Sequence, residues 1–271
     1  MKQALVLDKC FLQSKKKLII QELATSHRLV MTGALLYELL TCEANVRRGC
    51  FIHLPITGNP VELVDHTWIL LQFEIKNHKP AGKPTSYKEN IQFKFNPRLL
   101  ELEYTLPHEA QETINEQHKQ LQLDIKEFII QARLIPTYFP TLLEGSDEKR
   151  KIARHEAEKE IAAKGGLLPL YKCLKSPNPK TPFPPSNLLD ESWTFYRWLQ
   201  VMLLFGLDIF CKYQGNIPKK FTTREWNKLE HDVLDAQILI IAISEGEAFA
   251  TKEKKLIRWW NLLLPDGELF Q

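Results

Sequence analysis

Four acidic side chains stand where a parallel sheet would bring them to one edge. Asp8 ends the apolar run "ALVLD", and Glu253 follows the short run "EAFAT". Glu38 lies one turn into the helix predicted after "HRLVMTG", and Asp235 opens the apolar stretch "DAQILIIAIS". Ligands bind beyond the carboxyl ends of the strands in an open parallel sheet. We therefore expect Asp8 and Glu253 at that edge, within reach of Glu38 and Asp235 from their helix starts.

Carboxylates gathered in this way predict a metal site. Like charges at short range repel and raise each other's pKa unless a cation compensates them. Mg²⁺ and Mn²⁺ take oxygen ligands, and a pair of such ions can activate a water and stabilise the leaving oxygen of a phosphodiester. The pattern predicts catalytic and metal-binding roles for Asp8, Glu38, Asp235 and Glu253. Asp232 shares a helix face with Asp235 and is predicted to be an additional ligand.

Each of these acids has a simpler interpretation when it is taken alone. Asp and Glu are also common in four ordinary roles: at a turn after a strand, on the solvated face of a helix, at a helix N-terminus and in a surface ion pair. Asp232, for example, has Lys228 four residues before it as an ion-pair partner. The order and context of the acids together favour the metal site. The hydroxyl of Thr251 is either a hydrogen-bonding group near that site or an ordinary strand residue.

The elements that position the acids follow an α/β pattern at both ends of the chain. "ALVLD" and "HRLVMTG" are predicted strands, and the helices "KKKLIIQELAT", capped by Ser14, and "ALLYELLTCEANV" follow them. Near the end come the strand "EAFAT", the helix "KEKKLIRWWNLLL" and an edge strand "ELFQ". Alternating strands and helices predict an α/β fold with a parallel central sheet.

The middle of the chain has a different character and is predicted to be a mainly helical insertion, residues 49–220. Its first part holds β-rich pieces, "TWILLQFEI" and "NIQFKF", which suggest a hairpin or a sheet extension. Later segments predict helices over 108–133, 146–166 and 189–213 and a proline-rich loop at 175–186. The predicted core is 1–48 with 221–271.

The capping box Thr222–Glu225 predicts the start of a helix after the insertion. This helix either stops near residues 227–230 or continues into the apolar stretch that begins at Asp235. Both alternatives fit the pattern.

Composition excludes several classes of protein. The 271 residues are 44% hydrophobic and 25% charged, which is enough for a large globular core. The net charge of +3 is too small to indicate a nucleic-acid partner by itself. Five cysteines without a C-x-x-C pair argue against disulfide scaffolds and zinc ribbons and favour a cytoplasmic protein. No signal peptide is recognisable, and no nucleotide-binding G-x-G-x-x-G or G-x-x-x-x-G-K-[ST] motif occurs.

The most apolar stretch, residues 198–211, predicts a buried helix and not a membrane span. Gln200 and Asp208 interrupt it, and it is shorter than the roughly 20 apolar residues that a span needs. No membrane partner is expected.

The terminal segments resemble the PIN-domain nucleases. The strand and acid of "LVLDKCFL" match the first motif of that family, and "RLVMTGALLYELL" with Glu38 matches the second. "DAQILIIAISEGEAFATKE" matches the third across its whole length, including Asp235, Gly246 and Thr251. Together these segments cover about a third of the chain, roughly 1–45 and 228–271.

The resemblance implies a three-layer α/β core and a Mg²⁺- or Mn²⁺-dependent endoribonuclease. It implies RNA as substrate, with DNA less favoured, and products with 5′-phosphate and 3′-hydroxyl ends. An inhibitor or activating partner protein, a homo-oligomer, and a role in toxin–antitoxin systems or phage defence are further expectations. The chain departs from the motifs at Lys9, Cys10 and Glu253. These departures keep a second interpretation open, a catalytically inactive PIN-like binding or scaffold protein.

Basic and aromatic residues alternate in the first part of the insertion, a pattern that suits single-stranded nucleic acid. Phosphates pair with Lys and Arg, and bases stack on aromatic rings. The residues are Lys76, Lys79, Lys83, Tyr87, Lys88, Phe93, Lys94, Phe95 and Arg98. An ordinary solvated surface has the same composition, and the sequence leaves both interpretations open.

Overall fold

The structure, a computed structural model, describes residues 2–55, 59–87, 95–171 and 182–271. It is an α/β protein with 64% helix and one five-stranded parallel sheet, compatible with a three-layer α/β fold. The predicted fold class is confirmed at that level.

The sheet has the strand order β3-β2-β1-β4-β5, and all neighbouring strands are parallel. In chain order the strands are β1 (Gln3–Leu7), β2 (His27–Thr32), β3 (Glu62–Val64), β4 (Ala248–Ala250) and β5 (Glu268–Phe270). The central strand β1 reads as an unbroken aliphatic run because both of its faces are covered, and Ala4 to Leu7 are fully buried. β5 is an edge strand, as the sequence predicts.

Helices connect the strands, and a helix begins shortly after the end of each of β1, β2 and β4. Those before residue 80 are α1 (Lys9–Ser14), α2 (Lys17–Ser26), α3 (Gly33–Thr41), α4 (Ala44–Phe51) and α5 (Thr67–Asn77). The later ones are α6 (His108–Tyr138), α7 (Asp147–Ala162), α8 (Leu168–Tyr171), α9 (Thr194–Lys212), α10 (Thr223–Glu245) and α11 (Lys254–Leu263). The helix that begins after Thr222 therefore continues without interruption through Asp235.

The chain divides into two compact units. The first, called the sheet unit here, consists of Met1–Leu70, Gly82–His118 and Gln237–Gln271. The second, the helical unit, consists of Leu71–Ala81 and Lys119–Ala236. The bounds differ from the sequence prediction because β3, which completes one side of the sheet, comes from within residues 49–220.

α9 is the central helix of the helical unit. Most of its residues are buried, and it is joined to α7 by the ion pair Arg154–Asp208 with a nitrogen–oxygen distance of 2.7 Å. By length and composition α9 is also apolar enough to cross a membrane, but 83% of its apolar window is buried inside the protein. It therefore serves as a core helix, as the interruptions at Gln200 and Asp208 predict.

Three local predictions are wrong. The segment "ALLYELLTCEANV" is not one helix, because α3 ends at Thr41 and α4 begins at Ala44. "TWILLQFEI" forms α5 and not a strand, because a continuous apolar run does not distinguish a strand from a buried helix by periodicity. Ser14 does not cap α2. Its hydroxyl donates to the carbonyl of Phe11 at the end of α1, a short helix that was not predicted. The segment "NIQFKF" and most of the loop 175–186 lie outside the described residues.

Candidate functional site

Asp8 lies where the order of the strands reverses. From β1 the chain builds β2 and β3 on one side and then returns to build β4 and β5 on the other. The gap between the carboxyl ends of β1 and β4 is the topological switch point, the usual ligand site of such sheets. The Asp8 amide donates to the Ala250 carbonyl across it (3.0 Å), and the Thr251 hydroxyl donates to Asp8 Oδ2 (2.6 Å).

The Asp8 carboxylate is almost completely buried, with 3% of the residue exposed. The Cys10 thiol donates to Oδ2 over 2.7 Å. Burial raises the pKa of Asp8, the hydrogen bonds from Cys10 and Thr251 oppose this rise, and the charge of Glu38 adds to it. A cation bound next to the carboxylate would stabilise its charged form in this environment.

Cys10 serves as a hydrogen-bonding group and not as a nucleophile. Burial and then the charge of Asp8 raise the pKa of its thiol to about 12. A thiolate is therefore not formed near neutral pH, and thiolate is the reactive species. The thiol also accepts a hydrogen bond from the Lys252 amide at 3.1 Å and so joins β1 to the segment after β4.

Glu38 extends from α3 and forms an ion pair with Lys9. The distance from Lys9 Nζ to Glu38 Oε1 is 2.9 Å, and both side chains are largely covered. Burial lowers the pKa of Lys9, but the charge of Glu38 and the hydrogen bond to it outweigh burial and raise that pKa overall. Lys9 is therefore protonated and supplies the positive charge that faces Glu38.

Glu253 is exposed at the same edge of the sheet. Its amide donates to Thr251 Oγ1 at 3.1 Å, and Glu253 is the N-cap residue of α11 without a side-chain capping bond. Its backbone is thus tied to the residue that holds Asp8, while its carboxylate lies at the surface.

Asp235 and Asp232 belong to the helical unit and lie inside α10. The prediction that Asp235 stands at a helix start is wrong. No glycine or proline separates Trp226 from Asp235, so nothing in the sequence ends the helix there.

The structure thus brings together Asp8, Glu38 and Thr251, with Lys9 and Cys10 as their partners. Within the described ranges, no group of three or more His, Cys, Asp or Glu side chains is arranged to hold a metal ion. The shared site of four acids stays a prediction.

Asp8 and Glu38 nevertheless fit a divalent cation by donor chemistry. Mg²⁺ is often held by one or two carboxylates, together with waters and substrate phosphates. Asp8 is buried with a raised pKa, and Glu38 is close enough to contribute to that rise. Lys9 competes for Glu38 and would have to exchange its partner.

Three basic residues of the predicted basic surface contact other groups of the protein. Lys79 lies over the Phe73 ring with 5.4 Å between Nζ and the ring centroid, and Lys83 pairs with Glu247. Arg98 lies over the Tyr104 ring at 4.7 Å. Lys88, Phe93 and Lys94 lie outside the described residues. Binding of nucleic acid by this segment stays a prediction.

Sequence reasoning missed a pocket next to these acids. It lies at the carboxyl ends of β2 and β3 and includes Gly33, His66 and Gln117. The missing signal was β3, which lies in the region interpreted as an insertion and was not recognised as a strand of the core sheet, so His66 was not placed at the sheet edge. Comparison with protein-family models, curated proteins and solved structures finds no match to this chain.

Proposed function

We propose that this protein is a divalent-metal-dependent endoribonuclease of the PIN type, with Asp8 and Glu38 at the centre of its site. The observation that carries the proposal is the buried Asp8 carboxylate at the topological switch point, with its pKa raised by burial and by Glu38. A buried acid at that position, next to a second acid, is costly for stability and is typical of a site that binds cations. Glu253 and Asp235 are the further ligands that the resemblance implies, and Asp232 is the additional ligand predicted from the helix face that it shares with Asp235.

Each residue around Asp8 has a definite role in this proposal. Asp8 and Glu38 hold the Mg²⁺ or Mn²⁺ ion, which when bound supplies an activated water and stabilisation of the leaving oxygen. Thr251 fixes the orientation of the Asp8 carboxylate through a hydrogen bond of 2.6 Å. Lys9 balances the charge of Glu38 and attracts the phosphates of the substrate. A cytoplasmic location, and control by an inhibitor or activating partner, belong to the same proposal.

The test compares cleavage of mixed tRNA, mRNA and single-stranded DNA by the wild type and by variants, with Mn²⁺ or with a chelator. We expect Asp8→Asn and Glu38→Gln to lose more than about 100-fold in rate, because even changes in residues that only support metal ligands cost about 10–100-fold. Glu22→Gln, an exposed acid of α2, is the matched control and should cleave like the wild type. Asp235→Asn determines whether that acid belongs to the site.

Cleavage that persists in the presence of the chelator, or in Asp8→Asn, would refute the proposal.

The second candidate function is a binding module without catalysis, and the Lys9–Glu38 ion pair favours it. A lysine at 2.9 Å from Glu38 provides the charge that a cation would otherwise supply. This alternative predicts no rise in the thermal midpoint with Mn²⁺, since only a ligand of the native state raises it. A Lys9→Met variant that gains a Mn²⁺-dependent rise would identify Lys9 as the group that replaces the metal.

A further inference from the structure

A pocket of about 260 Å³ lies in the sheet unit beside the candidate site. One wall is a face of α3, formed by Gly33, Leu36, Tyr37 and Leu40. The first turns of α6 also line the pocket, through Ala110, Thr113, Ile114 and Gln117. Pockets for drug-sized ligands measure about 300–1,000 Å³, so this one suits a single small planar group.

The polar residues of the pocket lining include His66 and Gln117, which bond to each other, and also Asp65 and Thr113. His66 comes two residues after β3, and its Nε2 lies 2.8 Å from Gln117 Nε2. Burial lowers the pKa of His66, so the ring is neutral and accepts a hydrogen bond at Nε2 from the Gln117 amide nitrogen. Neither side chain makes another hydrogen bond within the described part of the chain. The Gln117 carbonyl oxygen is therefore available to accept a hydrogen bond from a ligand.

Gly33 allows this arrangement because it has no side chain. A Cβ atom at this position would lie 2.5 Å from His66 Cε1 and 2.7 Å from Nδ1, which is far inside van der Waals contact. The imidazole therefore packs directly against the backbone at the start of α3. Any larger residue would displace the ring and the hydrogen bond to Gln117 with it.

The pocket and the acids share one edge of the sheet and one helix. Glu38 and Tyr37 are neighbours on α3, and Tyr37 lines the pocket. Strands in a sheet are about 4.8 Å apart, so the end of β3 lies about 10 Å from the end of β1. A group bound in the pocket would thus be one or two nucleotides from a phosphate at Asp8.

We propose that this pocket binds one unpaired base of the RNA substrate and prefers a base with an exocyclic amine. The proposal rests on the nuclease function proposed above and names a subsite for it. Unpaired bases are recognised by apolar or aromatic contact with their faces and by hydrogen bonds to their edges. Leu36, Leu40 and Ile114 provide the apolar contact, and Gln117 provides the acceptor for the amine, a role glutamine has with adenine.

Nucleosides with an amine or a carbonyl at the same ring position, which differ also in the protonation of the adjacent ring nitrogen, test the proposal without any cleavage step. Isothermal titration of the wild type with adenosine, inosine, cytidine and uridine in the presence of a chelator measures the preference directly. We expect adenosine over inosine and cytidine over uridine by about tenfold, the value of one hydrogen bond. Gln117→Leu should abolish both preferences, and Gly33→Ala should weaken all binding. Gln111→Leu, an exposed glutamine on the same helix, is the matched control.

The result separates this proposal from the nuclease proposal. Metal-dependent cleavage without nucleoside binding, or equal binding by Gln117→Leu and the wild type, would overturn the base pocket and leave the nuclease intact. An amine preference that Gln117→Leu abolishes, in a protein that does not cleave RNA, would support the pocket and overturn the nuclease. Circular dichroism of each variant excludes loss of fold as the cause.

Discussion

At the level of single residues, the candidate site is defined by the way in which its charges are compensated. Asp8 receives hydrogen bonds from a hydroxyl and a thiol, whereas Glu38 receives a full positive charge from Lys9. Hydrogen bonds from neutral donors do not compensate the negative charge of Asp8. The ion pair with Lys9 does compensate the negative charge of Glu38. A bound cation would therefore stabilise Asp8 more than Glu38. Whether Glu38 can also bind the cation depends on Lys9, which competes for its carboxylate.

Glu247 provides a pH-dependent contribution to stability that is independent of the proposed function. Burial raises its pKa, but the bonds from Lys83 and the Ala4 amide outweigh burial and lower the pKa below 4.5. The folded state therefore binds a proton less readily than the unfolded state. The stabilisation is present above the unfolded pKa and is lost as the pH falls through the folded value.

We expect Glu247→Gln to be less stable than the wild type near neutral pH and equally stable in acid. Urea unfolding at about pH 7 and at about pH 3 measures the difference, which should shrink at the lower pH. Lys83→Gln removes the partner of the same ion pair and should have the same pH dependence. A difference that stays constant over this range would show that the ion pair does not contribute.

The sequence contained enough information to predict Asp8 and Glu38 but not their environment. An acid directly after an aliphatic run marks a strand end, and this local signal placed Asp8 correctly. The prediction that Asp235 starts a helix was wrong, because it was based on a family motif and not on a helix-breaking residue before Asp235. His66 and Gln117 come from segments 51 residues apart, and only the fold brings them together.

At the level of elements, the helix caps that the sequence predicts correctly are local, and a long-range cap was missed. Thr222 and Glu225 form the expected capping box, and Ser146 caps α7. α9, by contrast, begins after Trp193, a residue that cannot cap a helix. The amides of Thr194 and Phe195 instead donate to Glu74, which lies 120 residues earlier in the sequence. No local sequence pattern predicts a cap of this kind.

Glu74 is therefore expected to be more important for stability than an ordinary helical acid. Burial raises its pKa, and hydrogen bonds from the amides of Ala81, Phe195 and Thr194 oppose this rise. Glu74→Ala should cost at least about 2 kcal/mol of the free energy of unfolding, because it leaves buried amides without acceptors. Glu74→Gln keeps an oxygen acceptor and should cost less.

Glu127→Ala, at an exposed position of α6, is the control and should change stability by no more than about 0.5 kcal/mol. Chemical unfolding measures all three variants. An effect of Glu74→Ala as small as that of Glu127→Ala would show that α9 does not depend on this cap.

At the level of the whole molecule, the sheet unit is assembled from three separate stretches of the chain. Asp8 and Thr251, which touch at the candidate site, are 243 residues apart. Four of the five strands could be predicted because apolar runs are local signals, whereas β3 and the division into units could not. The division depends on β3, which lies in the region interpreted as an insertion, and on helices such as α6 and α10 that have residues in both units.

The overall charge sets the expected strength of non-specific binding to RNA. The chain carries 36 basic and 33 acidic residues, and Lys83 and Arg98 of the predicted surface contact protein groups. The small net charge of +3 favours a small number of phosphate contacts. With three or four phosphate contacts, the logarithm of affinity should fall with the logarithm of salt concentration with a slope of about −2 to −3.

Fluorescence anisotropy of a labelled single-stranded RNA, measured with Asp8→Asn to prevent cleavage, gives this slope. Lys79→Gln and Arg98→Gln should leave it unchanged, since both side chains already lie over aromatic rings of the protein. A slope steeper than about −5 would require at least seven phosphate contacts. If either substitution also reduced that slope by about one unit, the segment that contains Lys79 and Arg98 would be the RNA-binding surface, and binding would be dominated by charge and not by the site at the switch point.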